Sequence, residues 1–222
     1  MNAGFFRRIT SSLIDMALIF TVIYFSFTLF GRTILQSNVE NYQEINTAYN
    51  DIMQVYNQNM QELQLEYDVK KELAGDNEEL KDEALEEYLS KTGLLNQQNL
   101  IDIEPYNRPL GIYFTSVVYY YIFLFLVLMS IFTLVTKGKT LGRRTMGLKL
   151  VGPTNPLNIL FHDIGLKYLL IIALVPINVL FAVMALMFMF IIDMALIAAS
   201  RNKNTIRDII TKITVERIGY KY

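Results

Sequence analysis

A carboxylate sits inside the first stretch of this chain that is long and apolar enough to cross a bilayer. The stretch opens Phe5-Phe6-Arg7-Arg8-Ile9-Thr10-Ser11-Ser12-Leu13-Ile14-Asp15 and stays apolar to Phe30. Arg8 and Asp15 are seven residues apart, about two helical turns, so both project from nearly one face, with Ser11 and Ser12 between them. A crossing helix needs about 20 apolar residues, and Ile9–Phe30 meets that length. An acid buried in such a helix is costly and demands a partner from elsewhere in the chain. The run exceeds a signal-peptide core, contains Asp15 and lacks a small-x-small cleavage site, so it reads as a retained span. Arg7 and Arg8 put the N-terminus on the cytoplasmic side.

Charge is segregated along the chain. Residues 37–111 hold 16 acidic and 5 basic side chains, while the rest of the chain is strongly basic, although the formal net charge of the whole is only −1. That split is what a multi-span protein with basic cytoplasmic loops and one acidic outward segment carries. The chain has no cysteine and one histidine, which excludes disulfides and thiolate chemistry and makes a histidine metal cluster implausible. No cofactor, metal or nucleic acid is expected.

Segment 37–110 reads as a helical hairpin. Tyr42, Ile45, Tyr49, Ile52, Tyr56, Met60 and Leu63 recur by threes and fours, an amphipathic seam. Gly75-Asp76 breaks it. Asp76 or Asn77 can cap a second helix, in which Leu80, Ala84, Leu85, Tyr88 and Leu89 form the facing stripe. Thr92-Gly93 is expected to end that helix. Asn99–Leu110, with Pro105 and Pro109, is expected to return irregularly to the membrane. The seam is read as the hairpin's own core, with packing against a protein partner or a second copy as the alternative.

A second span follows at Gly111–Val135. The loop after it, within 137–156, reads Lys-Gly-Lys-Thr-Leu-Gly-Arg-Arg-Thr-Met-Gly over 137–147. It lacks the spacing of a phosphate-binding loop and does not follow a buried strand. Its charge suits a cytoplasmic loop beside anionic lipid, but charge does not account for the regular glycines at 138, 142 and 147. Residues 157–200 are too long for one crossing, with Pro176-Ile177-Asn178 near the middle. They form either one helix kinked at the proline or two spans, Leu157–Val175 and Ile177–Ser200. Basic segments on both sides require an even number of crossings and favour two spans. The tail 201–222 carries Arg201, Lys203, Arg207 and Lys212, with Ile206, Ile209, Ile210 and Ile213 on an amphipathic element suited to lie on the membrane.

The polar residues with a claim to function are Arg8, Asp15, Asp193 and Asp208. Asp15 and Asp193 fall at similar depth in the cytoplasmic half, a candidate ion or proton path. The competing reading is a buried ion-pair network that locks helices to the basic loop. His162 beside Asp163 reads as a structural histidine. No nucleophile–base pair or hydrolase motif is present, so the chain is not expected to be an enzyme.

Three stretches resemble the RDD family of bacterial membrane proteins, named for one arginine and two aspartates. The first is the opening Phe5-x-Arg7-Arg8-x-x-Ser11-x-x-Ile14-Asp15. The second is the loop Thr140-Leu141-Gly142-Arg143-Arg144-Thr145-Met146-Gly147-Leu148-Lys149-Leu150-Val151. The third is the tail Asn204-Thr205-Ile206-Arg207-Asp208, running on to Thr214-Val215. The resemblance covers about 1–36 and 111–217 and implies that Arg8, Asp15 and Asp208 form the family's polar cluster. Arg207 replaces the family's usual histidine, Lys167 stands where an arginine is common, and the acidic insertion is longer than the family's usual first loop. Transport is suggested for the family. The expected architecture is an all-α membrane bundle of four transmembrane helices in a bacterial inner membrane, with both termini cytoplasmic and 37–110 extracytoplasmic. Its sections are 1–36, 37–110, 111–200 and 201–222. The expected function is movement of a small ion or proton, the alternative being partner binding through the hairpin.

Overall fold

The computed structural model describes residues 3–199 and 204–218, and the side chains among them except at 169–171. Arg201 and Lys203 of the basic tail lie outside the described residues. Helix α1 (Phe5–Ser26) passes through a π-helical turn (Phe27–Gly31) into α2 (Arg32–Ser37). Two long helices follow, α3 (Tyr42–Ala74) and α4 (Glu78–Val135). Then come α5 (Leu141–Thr145), β1 (Leu148–Val151), α6 (Pro156–Leu160), a second π turn (Phe161–Gly165), α7 (Leu166–Leu174), α8 (Val179–Ala199), α9 (Ile206–Thr211) and β2 (Thr214–Arg217). Helix dominates throughout. Among the described residues, Phe5–Ser37, Glu78–Val135 and Val179–Ala199 are long and apolar enough to cross a membrane.

The chain divides into two compact units, Met1–Thr28 with Tyr120–Tyr222, and Leu29–Tyr119. In the first, the buried face of α1 runs Arg8, Ser11, Asp15, Ile19, Ile23, steps of three and four that form one helical stripe. Its apolar end meets Phe125 and Met129 of α4 and Ile164 and Tyr168. The Phe125 and Tyr168 rings meet edge to face at 5.1 Å, a favoured aromatic geometry. The opposite face of α1 exposes Leu13 and Phe25. This is the arrangement of a helix with lipid on one side and protein on the other.

Residues 156–199 form two helical stretches, not one kinked helix. The chain turns at 175–178, where the N–H groups of Ile177 and Asn178 both donate to the Leu174 carbonyl. The Asn178 side chain then accepts from Leu180 and Phe181 and caps α8. Helices α7 and α8 pack against each other.

An antiparallel ribbon joins the basic loop to the tail, with Leu148 opposite Arg217 and Leu150 opposite Val215. It was not foreseen, although Leu148-Lys149-Leu150 and Thr214-Val215-Glu216 both alternate with period two. The Ala3 N–H donates to the Val215 carbonyl at 2.8 Å, so the N-terminus caps the ribbon. Ala3, Leu148 and Val215 are buried together. Ile213, expected on the membrane-facing side of the tail, is fully buried.

In the second unit, α3 and the first part of α4 are joined by a three-residue turn at 75–77. Asn77 caps α4 by accepting from Glu79 and Leu80. Lys70 bridges to Glu87 at 2.5 Å, and Lys91 to Glu66 at 2.9 Å. Tyr88 donates to Gln64, and the Tyr67 and Tyr88 rings lie 5.0 Å apart. The α3 seam is half-buried as expected, but the α4 stripe is rotated. Ala84, Tyr88 and Lys91 face inward, while Leu80, Leu85 and Leu89 are exposed. The expected helix end at Thr92-Gly93 and the irregular stretch Asn99–Leu110 are also corrected, since α4 runs through both prolines. An interior proline costs about 3 kcal/mol. Here Tyr106, Leu110, Tyr113 and Val117 are spaced by threes and fours and pack with Tyr42, Ile45 and Tyr49.

The glycines of the basic loop are explained by contact. A Cβ on Gly142 would lie 1.9 Å from the Ser11 carbonyl oxygen, so α5 rests backbone to backbone on α1. Gly138 and Gly147 have positive φ, where glycine alone is unstrained. Gly142→Ala should therefore push α5 off α1. Overpacking of this kind costs about 3 kcal/mol or more, and thermal unfolding of the detergent-purified protein should show a lowered midpoint, with Gly93→Ala, which meets nothing within 4 Å, as the harmless control.

Candidate functional site

The polar half of the α1 stripe is the floor of a buried charge network in the first unit. Asp15 accepts from the Thr140 hydroxyl at 2.6 Å and from the Gly142 N–H at 2.8 Å. Thr140 is the N-cap of α5, so the helix start that caps itself also takes up the intramembrane acid. The close approach permitted by Gly142 is what brings that N–H within reach.

Arg8 spans three segments. Its guanidinium donates to the Ala3 carbonyl at 3.1 Å and the Val215 carbonyl at 3.3 Å, and it pairs with Asp208. Asp208 belongs to a capping box at the start of α9: the Thr205 side chain accepts from the Asp208 N–H, and the Asp208 carboxylate accepts from the Thr205 N–H. Burial pushes the Asp208 carboxyl upward, but the His162 hydrogen bond and the Arg8 charge outweigh it and hold the group well below the usual carboxylate range.

The second π turn supplies the link that sequence reasoning had set aside as structural. His162 places one ring nitrogen 2.7 Å from Asp163 and the other 2.9 Å from Asp208. The imidazole thus bridges two carboxylates, one at each ring nitrogen. Asp163 in turn takes both guanidinium arms of Arg143, at 2.8 and 2.6 Å, the bidentate geometry that makes arginine–carboxylate pairs strong. Burial opposes the Arg143 charge, and Asp163 more than restores it. One connected chain therefore runs Arg143–Asp163–His162–Asp208–Arg8, tying the loop, the π turn, the tail and α1 together. Asp163 was not singled out in the sequence. The signal available was an adjacent His-Asp pair in an otherwise apolar segment.

The expected residues distribute as follows. Arg8 and Asp208 meet directly, and Asp15 joins the loop through Thr140 and Gly142. Arg143 lies in the network. Arg144 is exposed and donates to the Lys139 carbonyl. Gly147 turns the chain into β1, and its carbonyl accepts from Ile218. Asp193 lies 3.9 Å from Arg207, close enough for charge but too far for a hydrogen bond. Among the described residues, no three His, Asp or Glu side chains converge as a metal-ligand set.

Two cavities flank the network. One, of about 40 Å³, is lined by Ser11, Asp15, Thr133 and Asp163 among others, polar and large enough for a water or two. The other, of about 110 Å³, has mostly apolar walls and includes Asp193. Arg8, Ser12, Lys167 and Arg207 line both. The Lys167 ammonium donates to the Ser12 hydroxyl at 3.2 Å, and among the described residues no carboxylate lies within ion-pair distance of it.

A family model described as the RDD family matches residues 2–212. No curated protein and no solved structure matches the chain.

The network predicts an acid-sensitive fold. A carboxyl with a lowered folded pKa stabilises fully above its unfolded value of about 3.9 and loses that contribution as pH falls toward the folded value. Asp208→Asn, which takes the carboxylate charge away from the buried Arg8, should cost roughly 3–5 kcal/mol at neutral pH. The gap between variant and parent, read by thermal unfolding in detergent, should narrow as pH is taken below about 4.

Proposed function

The chain belongs to the RDD family, and we propose that it is a four-crossing protein of a bacterial cell membrane that moves protons or a small cation past Lys167. Both termini face the cytoplasm, and 37–110 lies outside. The topology is supported by parity. Ala3, the loop strand β1 and the tail strand β2 share one ribbon, so each intervening stretch crosses an even number of times. The helices Phe5–Ser37 and Glu78–Val135 account for one such pair. Between β1 and β2, α8 needs a partner crossing. The helical run 156–174 supplies it at about 28 Å, against a hydrocarbon core of about 30 Å. A single cysteine at Thr214 in this cysteine-free chain should resist a membrane-impermeant thiol reagent on intact cells and react after permeabilisation. Labelling of intact cells would replace this topology.

One observation carries the transport reading. Lys167, a lysine in an apolar helix with no carboxylate within ion-pair distance among the described residues, lines both cavities, one holding Asp15 and the other Asp193. Intramembrane ionisable groups at wet cavities mark proton and ion routes. The two carboxylates of the Arg143–Asp163–His162–Asp208–Arg8 chain are each held by three contacts and act as scaffold. In proteoliposomes carrying an internal pH dye, an imposed potential should drive a proton flux above that of empty vesicles. Lys167→Gln should cut that flux at least tenfold while eluting as a folded species on size exclusion. Flux equal in variant and parent would overturn the reading.

Partner binding through 37–110 is the second reading, favoured by Leu65, Val69 and Leu73, exposed four residues apart on α3. In the same flux assay, deletion of 38–104 leaves transport intact under the first reading.

A further inference from the structure

The larger cavity has a chemistry that a proton path does not need. Its walls are Phe5, Ile9, Leu186, Met189, Phe190 and Ile197, and its polar end is Lys167 and Arg207, opposed by Asp193. Arg8 also reaches this end, but its charge is matched by Asp208. Lys167 and Arg207 against Asp193 leave one positive charge in excess. Arg207 supplies a second observation. Its Nε is shielded from solvent and has no hydrogen-bond partner among the described residues, and Asp193 stops short of it at 3.9 Å. A buried donor without an acceptor is unfavourable, so an acceptor delivered to that nitrogen is favoured.

The surroundings select the kind of molecule that brings it. Ile206 lines the cavity, and Ile209 and Ile210 beside it on α9 are exposed, as are Phe6 of α1 and Phe188 of α8. A cavity bordered by exposed apolar residues in a membrane protein opens toward acyl chains. We propose that this cleft holds one anionic phospholipid, its phosphodiester accepting hydrogen bonds from Arg207 and Lys167 and an acyl chain lying along Ile9, Leu186 and Phe190. A phosphodiester carries the single negative charge that neutralises the excess, and its oxygens are the acceptors that Arg207 Nε lacks. A zwitterionic lipid would bring its own cation to a cationic site and is disfavoured. The proposal goes beyond the transport reading. It rests on the chain's being a membrane protein and not on any flux.

Native mass spectrometry of the full chain in detergent, titrated with phosphatidylglycerol or with phosphatidylcholine, tests it. One phosphatidylglycerol per chain should be retained, at least fivefold in preference to phosphatidylcholine. Arg207→Gln should cut retention at least fivefold. Leu186→Trp, which fills the apolar wall without changing charge, should do the same and decides the matter if Arg207→Gln does not fold. Asp15→Asn, outside the cleft, should retain the lipid, and because retention is read without any flux, a failed transport reading leaves this result unchanged. Equal retention of the two lipids, or retention unchanged in the Leu186→Trp protein, would overturn the proposal. Displacement of the lipid by millimolar inorganic phosphate would overturn it in favour of a free-anion site.

Discussion

Burying a carboxylate is tolerated only where donors surround it, and the contact between Arg8 and Asp208 is where this protein meets that condition most fully. Both side chains are almost wholly buried. Each also serves backbone groups, so the pair is a junction and not a lone bridge. Through Arg8 the N-terminus is tied to the ribbon, and through Asp208 the start of α9 is capped. His162 then extends the junction to Asp163 and Arg143. Buried ion pairs often add little net stability over apolar packing. What this one adds is position: four segments distant in sequence, α1, the loop, the π turn and the tail, are held in a single arrangement.

The two cavities derive their properties from that arrangement. The network uses Arg8, Arg143, His162, Asp163 and Asp208 among themselves, leaving Lys167, Arg207 and Asp193 less completely matched at its edge. An ordered scaffold bordered by incompletely satisfied polar groups is how functional sites are commonly built. Arg8 and Asp208 lie at the centre of the cluster, and Lys167, Arg207 and Asp193 lie at its edge.

Much of this architecture is legible in the amino-acid sequence. The helical spacing of Arg8 and Asp15 gave one buried face. The cost of an acid in an apolar span demanded a partner, and the unexplained glycines of the loop pointed to close approach, realised at Gly142. Three features were not legible, each for a physical reason. The ribbon escaped because four-residue strands alternate too briefly to stand out, and β pairing depends on a partner more than 60 residues away. The unbroken α4 escaped because the cost of Pro105 and Pro109 is local, whereas the burial of Leu110 and Tyr113 that offsets it is tertiary. The rotated stripe of α4 escaped because salt bridges from Lys70 and Lys91, not leucines, line the inward face. Helical periodicity cannot distinguish an apolar stripe that packs from one that is left open.

The ribbon has a temporal meaning as well as a spatial one. In N-to-C synthesis Arg8, the Thr140 loop and His162 are all made before Asp208, which stands 200 positions after Arg8, and before β2, which follows it. Until then Arg8 and His162 lack the carboxylate they share, and β1 lacks the strand it pairs with. The charge network therefore closes only once α9 and β2 have been made, which makes this segment the last part of the network to arrive.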